Sequence, residues 1–96
     1  KLEDSGAFSV VLECVPTDLG QQITESLTVP TIGIGAGPHT DGQVLVISDL
    51  LGLNTAFKPK FVRHFLQGEG VLRQALTEYH HAVQAGSFPT TQESYK

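Results

Sequence analysis

The chain has 96 residues, of which 40% are apolar and 17% are charged, and its formal net charge is −4. This composition is typical of a globular protein rather than a disordered segment. The scattered Lys and Arg residues exclude a polybasic surface, so we expect no nucleic-acid partner and no membrane partner. No apolar run is long enough to cross a bilayer, and a single cysteine excludes an internal disulfide. No signal peptide is visible, which favours a cytoplasmic location.

The chain contains no methionine and opens Lys1-Leu2-Glu3. These two features predict that it is a fragment, a processed chain or the ordered part of a longer one.

The first third of the chain predicts a strand, a helix and a second strand. Residues 7–13 form a nearly continuous apolar run rich in β-branched residues, which is typical of a strand buried on both faces of a parallel sheet. A helix over about 17–27 is indicated by Leu19, Ile23 and Leu27, which share one helical face. A strand over about 29–34 follows, and this order is the βαβ unit of a parallel sheet.

Residues 40–51 carry conflicting signals. Thr40 and Gln43 have the spacing of a helix capping box, and the apolar positions 44, 47 and 51 repeat with a helical period. The run Val44–Ile47, in contrast, favours a strand by its β-branched content. We predict a helix over about 40–51.

Two further helices are predicted in the last third, over about 60–67 and about 70–85. They rest on apolar residues at helical spacing, namely Phe61, Val62, Phe65 and Leu66, and then Leu72, Ala75, Leu76, Tyr79 and Val83. Gly86 and Pro89 predict the end of the second helix. Because two parallel strands are too few for an independent sheet, we expect neighbouring strands upstream of Lys1.

Glu13 is the strongest candidate for a catalytic residue. It comes at the carboxyl end of a predicted buried strand, where active sites of α/β proteins collect. A carboxylate held there and partly removed from water is suited to act as a general base. The alternative is a structural glutamate that pairs with Lys or Arg on a neighbouring strand.

The glycine-rich segment 33–37 does not match the dinucleotide pattern G-x-G-x-x-G, because Pro38 or Thr40 occupies the third position. We favour a structural role, in which small residues let the strand end tightly, over a phosphate cradle at a following helix. Cys14 is predicted to be buried and inert, because adjacent strand residues face opposite sides. The four histidines lack ligand spacing, so we assign no metal ligand to this chain.

Several motifs together resemble the ketopantoate hydroxymethyltransferase (3-methyl-2-oxobutanoate hydroxymethyltransferase) family. They are LECVP at 12–16, VPTIGIGAG at 29–37, DGQVLV at 41–46, PKF at 59–61 and GSFP at 86–89. The resemblance covers essentially the whole chain and corresponds to the carboxyl-terminal third of the family's sequence. It implies an α/β fold, a (β/α)₈ TIM barrel of the phosphoenolpyruvate/pyruvate superfamily. This chain would contribute the last two βα units and carboxyl-terminal helices, with 40–51 as the last barrel helix.

The same resemblance implies transfer of a hydroxymethyl group from 5,10-methylenetetrahydrofolate to 3-methyl-2-oxobutanoate, which gives 2-dehydropantoate for pantothenate biosynthesis. In that family Mg²⁺ chelates the keto acid and polarises it, and the glutamate of the LECV motif, here Glu13, removes the proton. The resemblance places the Mg²⁺ ligands on earlier strands, upstream of this chain, and implies that Gly35 and Ala36 line the pocket mouth.

The expected partners are the keto acid, the remaining amino-terminal barrel segment and further copies in a homo-oligomer, a decamer by resemblance. The chain alone is expected to be incomplete and inactive. The alternative is a non-catalytic truncated paralogue or assembly module whose carboxyl-terminal helix presents an apolar stripe, formed by Leu72, Leu76, Tyr79 and Val83.

Overall fold

A three-stranded parallel sheet organises the first half of the chain. The computed structural model describes residues 1–96 and contains β1 (Val10–Glu13), α1 (Thr17–Ser26), β2 (Thr31–Ile34) and β3 (Gly42–Gln43). β2 lies between β1 and β3, and both pairings are parallel. The prediction of a mixed α/β structure with a βαβ unit is therefore confirmed, with each predicted strand a few residues shorter than expected.

α1 packs closely against the loop that follows β2. A Cβ atom at Gly20 would lie 2.6 Å from the carbonyl oxygen of Ala36, so only glycine allows this approach. The hydroxyls of Thr24 on α1 and Thr31 on β2 lie 2.8 Å apart, and Thr31 is fully buried. The Thr31 N–H donates to the Asp41 carboxylate at 2.8 Å, and the Asp41 N–H donates to the Thr31 hydroxyl at 3.2 Å. This polar network joins α1, β2 and the start of β3.

Glu3 fastens the amino-terminal turn to the connection between α1 and β2. Its carboxylate accepts hydrogen bonds from the Thr28 hydroxyl, from the Thr28 N–H at 2.8 Å and from the Val29 N–H at 3.1 Å. These bonds, the one from the Thr28 hydroxyl first, hold the pKa of Glu3 below its ordinary value of 4.5. The ionised carboxylate is therefore the form that holds the turn in place.

The second half contains α2 (Ile47–Leu50), α3 (Gly68–Ala85) and a short 3₁₀ turn at Thr91–Glu93. The predicted helix over 70–85 is confirmed as α3, which begins slightly earlier, at Gly68. Gly86 ends it in the left-handed conformation at φ 74°, and its N–H bonds to the carbonyls of Ala82 and Val83. The predicted end at Gly86 is confirmed.

The predicted helix over 40–51 is wrong. Gly42 and Gln43 form β3, and the Val44 N–H extends the ladder by donating to the Gly33 carbonyl at 3.0 Å. The Gln43 side chain does bond the Thr40 hydroxyl, at 3.0 Å, but it also donates to the Gly37 carbonyl at 2.9 Å. The capping-box pair thus closes a turn instead of starting a helix, and helical structure is confined to α2.

The predicted helix over 60–67 is also wrong, because this segment bonds to a distant turn instead of to itself. The Phe65 N–H donates to the Leu50 carbonyl at 2.7 Å, and the Gly68 N–H donates to the Leu51 carbonyl at 2.8 Å. Val62 is 4% exposed, so the segment is anchored by one buried side chain. Tertiary hydrogen bonds have replaced the local helical ones.

The chain is extended rather than compact. Its radius of gyration is 22.0 Å, against about 12–13 Å for a compact domain of this length. Its accessible surface is 7512 Å², against about 5,400 Å² for a compact monomer of this mass. Val11 on the edge strand β1 is 59% exposed, and Phe8, which precedes the strand, is 86% exposed. The elements therefore do not enclose a core of their own.

None of the helices combines the length and the apolar character that crossing a bilayer requires.

Candidate functional site

The three strands end at one edge of the sheet, and Glu13 is the last residue of β1 at that edge. Its Cα pairs with that of Ile34, the last residue of β2. The Cys14 N–H continues the ladder by donating to the Ile34 carbonyl at 2.9 Å. The prediction that Glu13 lies at the carboxyl end of a parallel strand is therefore confirmed.

The Glu13 side chain points away from the other side chains of this chain. The side chain is exposed, and it forms no hydrogen bond or ion pair with any other side chain of the 96 residues. No Lys or Arg of these 96 residues pairs with Glu13, and the base and the structural role both stay predictions.

The prediction for Cys14 is wrong in one respect, since its side chain is exposed. Cys14 has φ 55°, so the chain leaves the extended conformation there and strand alternation no longer applies. A non-glycine residue in this region carries strain of about 1–3 kcal/mol. The turn that produces it directly follows Glu13 and redirects the chain into α1.

A groove runs along the carboxyl edge of the sheet, and we call it the carboxyl-edge groove. It consists of three adjoining cavities of about 750, 530 and 520 Å³ that share Gly35 and Phe61. The 520 Å³ cavity begins at Cys14, directly after Glu13, and the 750 Å³ cavity reaches Val44 beyond β3. Glu13 itself lines none of the three, and its strand end borders the groove.

Gly35 forms the floor of the groove and Phe61 forms its wall. Gly35 has φ +66°, and a Cβ atom there would lie 2.9 Å from Cδ2 of Phe61. The ring thus packs directly on the backbone after β2. Gly35 lines all three cavities, whereas Ala36 is 1% exposed and lines none of them.

The glycine-rich segment therefore has a structural role. The alternative, a phosphate cradle at the start of a following helix, is wrong because a turn and β3 follow the segment. The tight end of β2 that we favoured is what the structure shows.

Three positively charged side chains line the groove, and the sequence did not lead us to predict them. Lys58, Lys60 and Arg63 line the 750 Å³ cavity, and no Asp or Glu lines any of the three cavities. The Arg63 guanidinium carbon lies 5.4 Å from the centroid of the Phe65 ring. The Lys and Arg residues are therefore not merely scattered. The available signal was that three of the six fall within positions 58–63.

The residues of this chain do not form a metal site. No group of three or more His, Cys, Asp and Glu side chains is placed to hold a metal ion. The neighbouring His80 and His81 have ring centroids 6.0 Å apart. The Mg²⁺ that the resemblance implies therefore finds no ligand set within these 96 residues.

The sequence profile of the ketopantoate hydroxymethyltransferase family matches residues 1–91. The chain belongs to this family. It is 56% identical over 95 residues to 3-methyl-2-oxobutanoate hydroxymethyltransferase of Bdellovibrio bacteriovorus, a match that covers 99% of this chain and 36% of the relative. The enzymes of the same name from Chlorobaculum parvum and Methylobacterium are 55% and 56% identical, with 98% and 99% of this chain and 34% and 33% of those relatives covered.

The chain thus spans about a third of the length of these curated relatives, and the match falls in their carboxyl-terminal part. The family is enzymatic, because its members are hydroxymethyltransferases. The family resemblance inferred from the motifs is confirmed.

Proposed function

We propose that this chain is the carboxyl-terminal part of an enzyme that transfers a hydroxymethyl group from 5,10-methylenetetrahydrofolate to 3-methyl-2-oxobutanoate, giving 2-dehydropantoate. Family membership and the names of the relatives support the reaction class. The observation that carries the proposal for this chain is the free carboxylate of Glu13 at the carboxyl end of β1.

Glu13 acts in this proposal as the general base. The proton to be removed lies on C3 of the keto acid, beside the keto carbon, where loss of a proton gives an enolate. The carboxylate takes this proton, and the C–H electron pair enters the enolate. The enolate carbon forms the new bond to the one-carbon unit, the two carbon–nitrogen bonds that hold this unit to the folate break, and tetrahydrofolate leaves. One water molecule is consumed overall and supplies the oxygen of the hydroxymethyl group. A positioned general base contributes about 10²–10⁴ in rate.

The rest of the site is proposed to come from a preceding barrel segment. β1 is an edge strand, and exposed apolar side chains lie on it, at Val11, and just before it, at Phe8. An exposed apolar edge strand of a parallel sheet is suited to pair with another strand. We propose that the preceding strands complete a (β/α)₈ barrel there and carry the Mg²⁺ ligands.

The apolar stripe of α3 is proposed as a subunit contact of a homo-oligomer, a decamer by the family resemblance. Leu72, Leu76, Tyr79 and Val83 are between 46% and 70% exposed, although each is apolar or aromatic. The stripe would also serve the alternative, a non-catalytic assembly module. Leu76→Glu is expected to lower the mass measured by light scattering, whereas Gln74→Glu on the same helix is not.

The experiment that tests the function is a product assay on the full-length protein that carries these residues. Mass spectrometry would follow 2-dehydropantoate formed from the keto acid and the methylene folate. Glu13→Gln is expected to lower kcat about 10²–10⁴-fold, and Glu25→Gln, an exposed carboxylate at the far end of α1, is the matched control. Near-normal turnover by Glu13→Gln contradicts the base assignment. The isolated 96-residue chain is expected to form no product.

A further inference from the structure

The carboxyl-edge groove carries a positive charge that neither the fold nor the proposed proton abstraction uses. Lys58, Lys60 and Arg63 are exposed, and none of them forms an ion pair within the chain. The chain as a whole has a net charge of −4, and yet the residues lining the groove include these cations and no anion. Uncompensated like charges facing one cavity repel each other, and an anionic ligand relieves that repulsion.

The groove also provides an apolar surface beside the cations. Phe61, Val44 and Leu45 line the same 750 Å³ cavity as the three cations. Sites for small molecules of drug size occupy about 300–1,000 Å³ and combine apolar walls with a few polar anchors. The fitting ligand has an aromatic body and more than one negative charge.

The folate co-substrate has this chemistry, since it joins an aromatic pterin and an aminobenzoate to a glutamate tail. We propose that the carboxyl-edge groove is the subsite for the aminobenzoyl-glutamate end of the folate, with the tail carboxylates on Lys58, Lys60 and Arg63. This inference rests on the proposed function. The ring of Phe61 contacts the aminobenzoate, and the groove extends to Cys14, beside Glu13, where the one-carbon end meets the enolate.

Arg63 is held for this role by its neighbour. Its guanidinium lies over the face of Phe65, at 5.4 Å from the ring centroid, a cation–π arrangement that restrains a flexible side chain. A guanidinium held by its face still presents N–H donors along its edge, and these match the two oxygens of a carboxylate. Lys58 and Lys60 add point charges that accommodate tails of different length.

Kinetics of the full-length enzyme with folates carrying one and three glutamates test the subsite. The triglutamate is expected to have the lower KM, because it offers more carboxylates. Lys60→Gln and Arg63→Gln are each expected to raise the triglutamate KM about two- to fivefold and to reduce its advantage over the monoglutamate. Lys60→Arg keeps the charge and should retain the advantage. Arg73→Gln removes a cation of α3 that lies outside the groove and is the matched control.

Two results overturn the proposal. One is a folate KM that is the same in the Gln variants as in the wild type. The other is a rise in the KM of the keto acid instead, which would place the keto acid in the groove.

A binding measurement separates this inference from the proposed function. Isothermal titration with 5-formyltetrahydrofolate triglutamate requires no turnover, and Lys60→Gln/Arg63→Gln is expected to bind it about four- to 25-fold more weakly than the wild type. Such a loss in a protein that forms no 2-dehydropantoate would support the subsite while refuting the reaction. Equal binding by the wild type and the double variant refutes the subsite even if the reaction proceeds.

Discussion

Replacing Gly35 with alanine tests whether the aromatic wall of the groove rests on a backbone that only glycine allows. Gly35 has φ +66°, and alanine in the left-handed region costs about 1–2 kcal/mol. The new Cβ would also lie 2.9 Å from Cδ2 and 3.1 Å from Cγ of Phe61, and overpacking of this kind costs about 1–3 kcal/mol. Because Phe61 is 39% exposed and can move aside, we expect a total of about 2–4 kcal/mol.

Gly86→Ala is the matched control. Gly86 has φ +74° and nothing within 4 Å of a Cβ, so alanine there incurs only the conformational cost of about 1–2 kcal/mol. The assay is thermal unfolding of the full-length protein, in which 1 kcal/mol corresponds to about 2–4 °C for a barrel-sized domain. We expect Gly35→Ala to lower Tm by several degrees more than Gly86→Ala.

A double variant isolates the contact between the new methyl group and the ring. Removing the ring by Phe61→Ala should recover the steric part of the Gly35→Ala loss, which a double-mutant cycle measures directly. Equal Tm losses for Gly35→Ala and Gly86→Ala, together with zero coupling to Phe61, would refute the packing of the ring on the strand end.

Three further predictions concern the parts of the chain that hold the site in place. Thr31→Val removes a buried hydroxyl that accepts the N–H of Asp41, and the free energy of unfolding from urea denaturation should fall by about 1–3 kcal/mol; an unchanged value contradicts the network. The turn held by Glu3 is expected to be fully formed above pH 4.5 and to be released as the pH falls through the lowered pKa of Glu3. Hydrogen exchange at the Thr28 amide measures this release. Protection of that amide that does not change with pH contradicts the role of the Glu3 carboxylate. Asn tolerates φ 55°, so Cys14→Asn should leave the Tm unchanged. Cys14→Val should lower the Tm by the amount that corresponds to a loss of about 1–2 kcal/mol in the free energy of unfolding. A lower Tm for Cys14→Asn than for Cys14→Val contradicts the backbone strain at Cys14.

The elements that sequence reasoning found are those with strong local signals. β1 and β2 are apolar runs on either side of a helix whose apolar residues repeat at helical spacing. Gly86 ends α3 in the left-handed conformation, which favours glycine. Glu13 was identified because strand ends are recognisable from sequence. Each of these inferences depends on residues close together in the chain.

The parts that were missed depend on distant contacts. β3 has two residues, Gly42 and Gln43, too few for an alternating pattern, and its pairing with β2 outweighs the capping-box signal. Segment 60–67 has helical spacing, but its amides bond to the turn at Leu50 and Leu51. The cations of the groove converge only after that segment folds back over Gly35.

Proton exchange at C3 of 3-methyl-2-oxobutanoate tests the central claim most directly. In D₂O without folate, the full-length enzyme should replace this hydrogen with deuterium, which proton NMR follows as loss of the C3 signal. Because Glu13 is the proposed base, Glu13→Gln should slow the exchange about 10²–10⁴-fold, while Glu25→Gln should exchange at the wild-type rate. Exchange by Glu13→Gln at the wild-type rate would contradict the account, since another group would then be removing the proton.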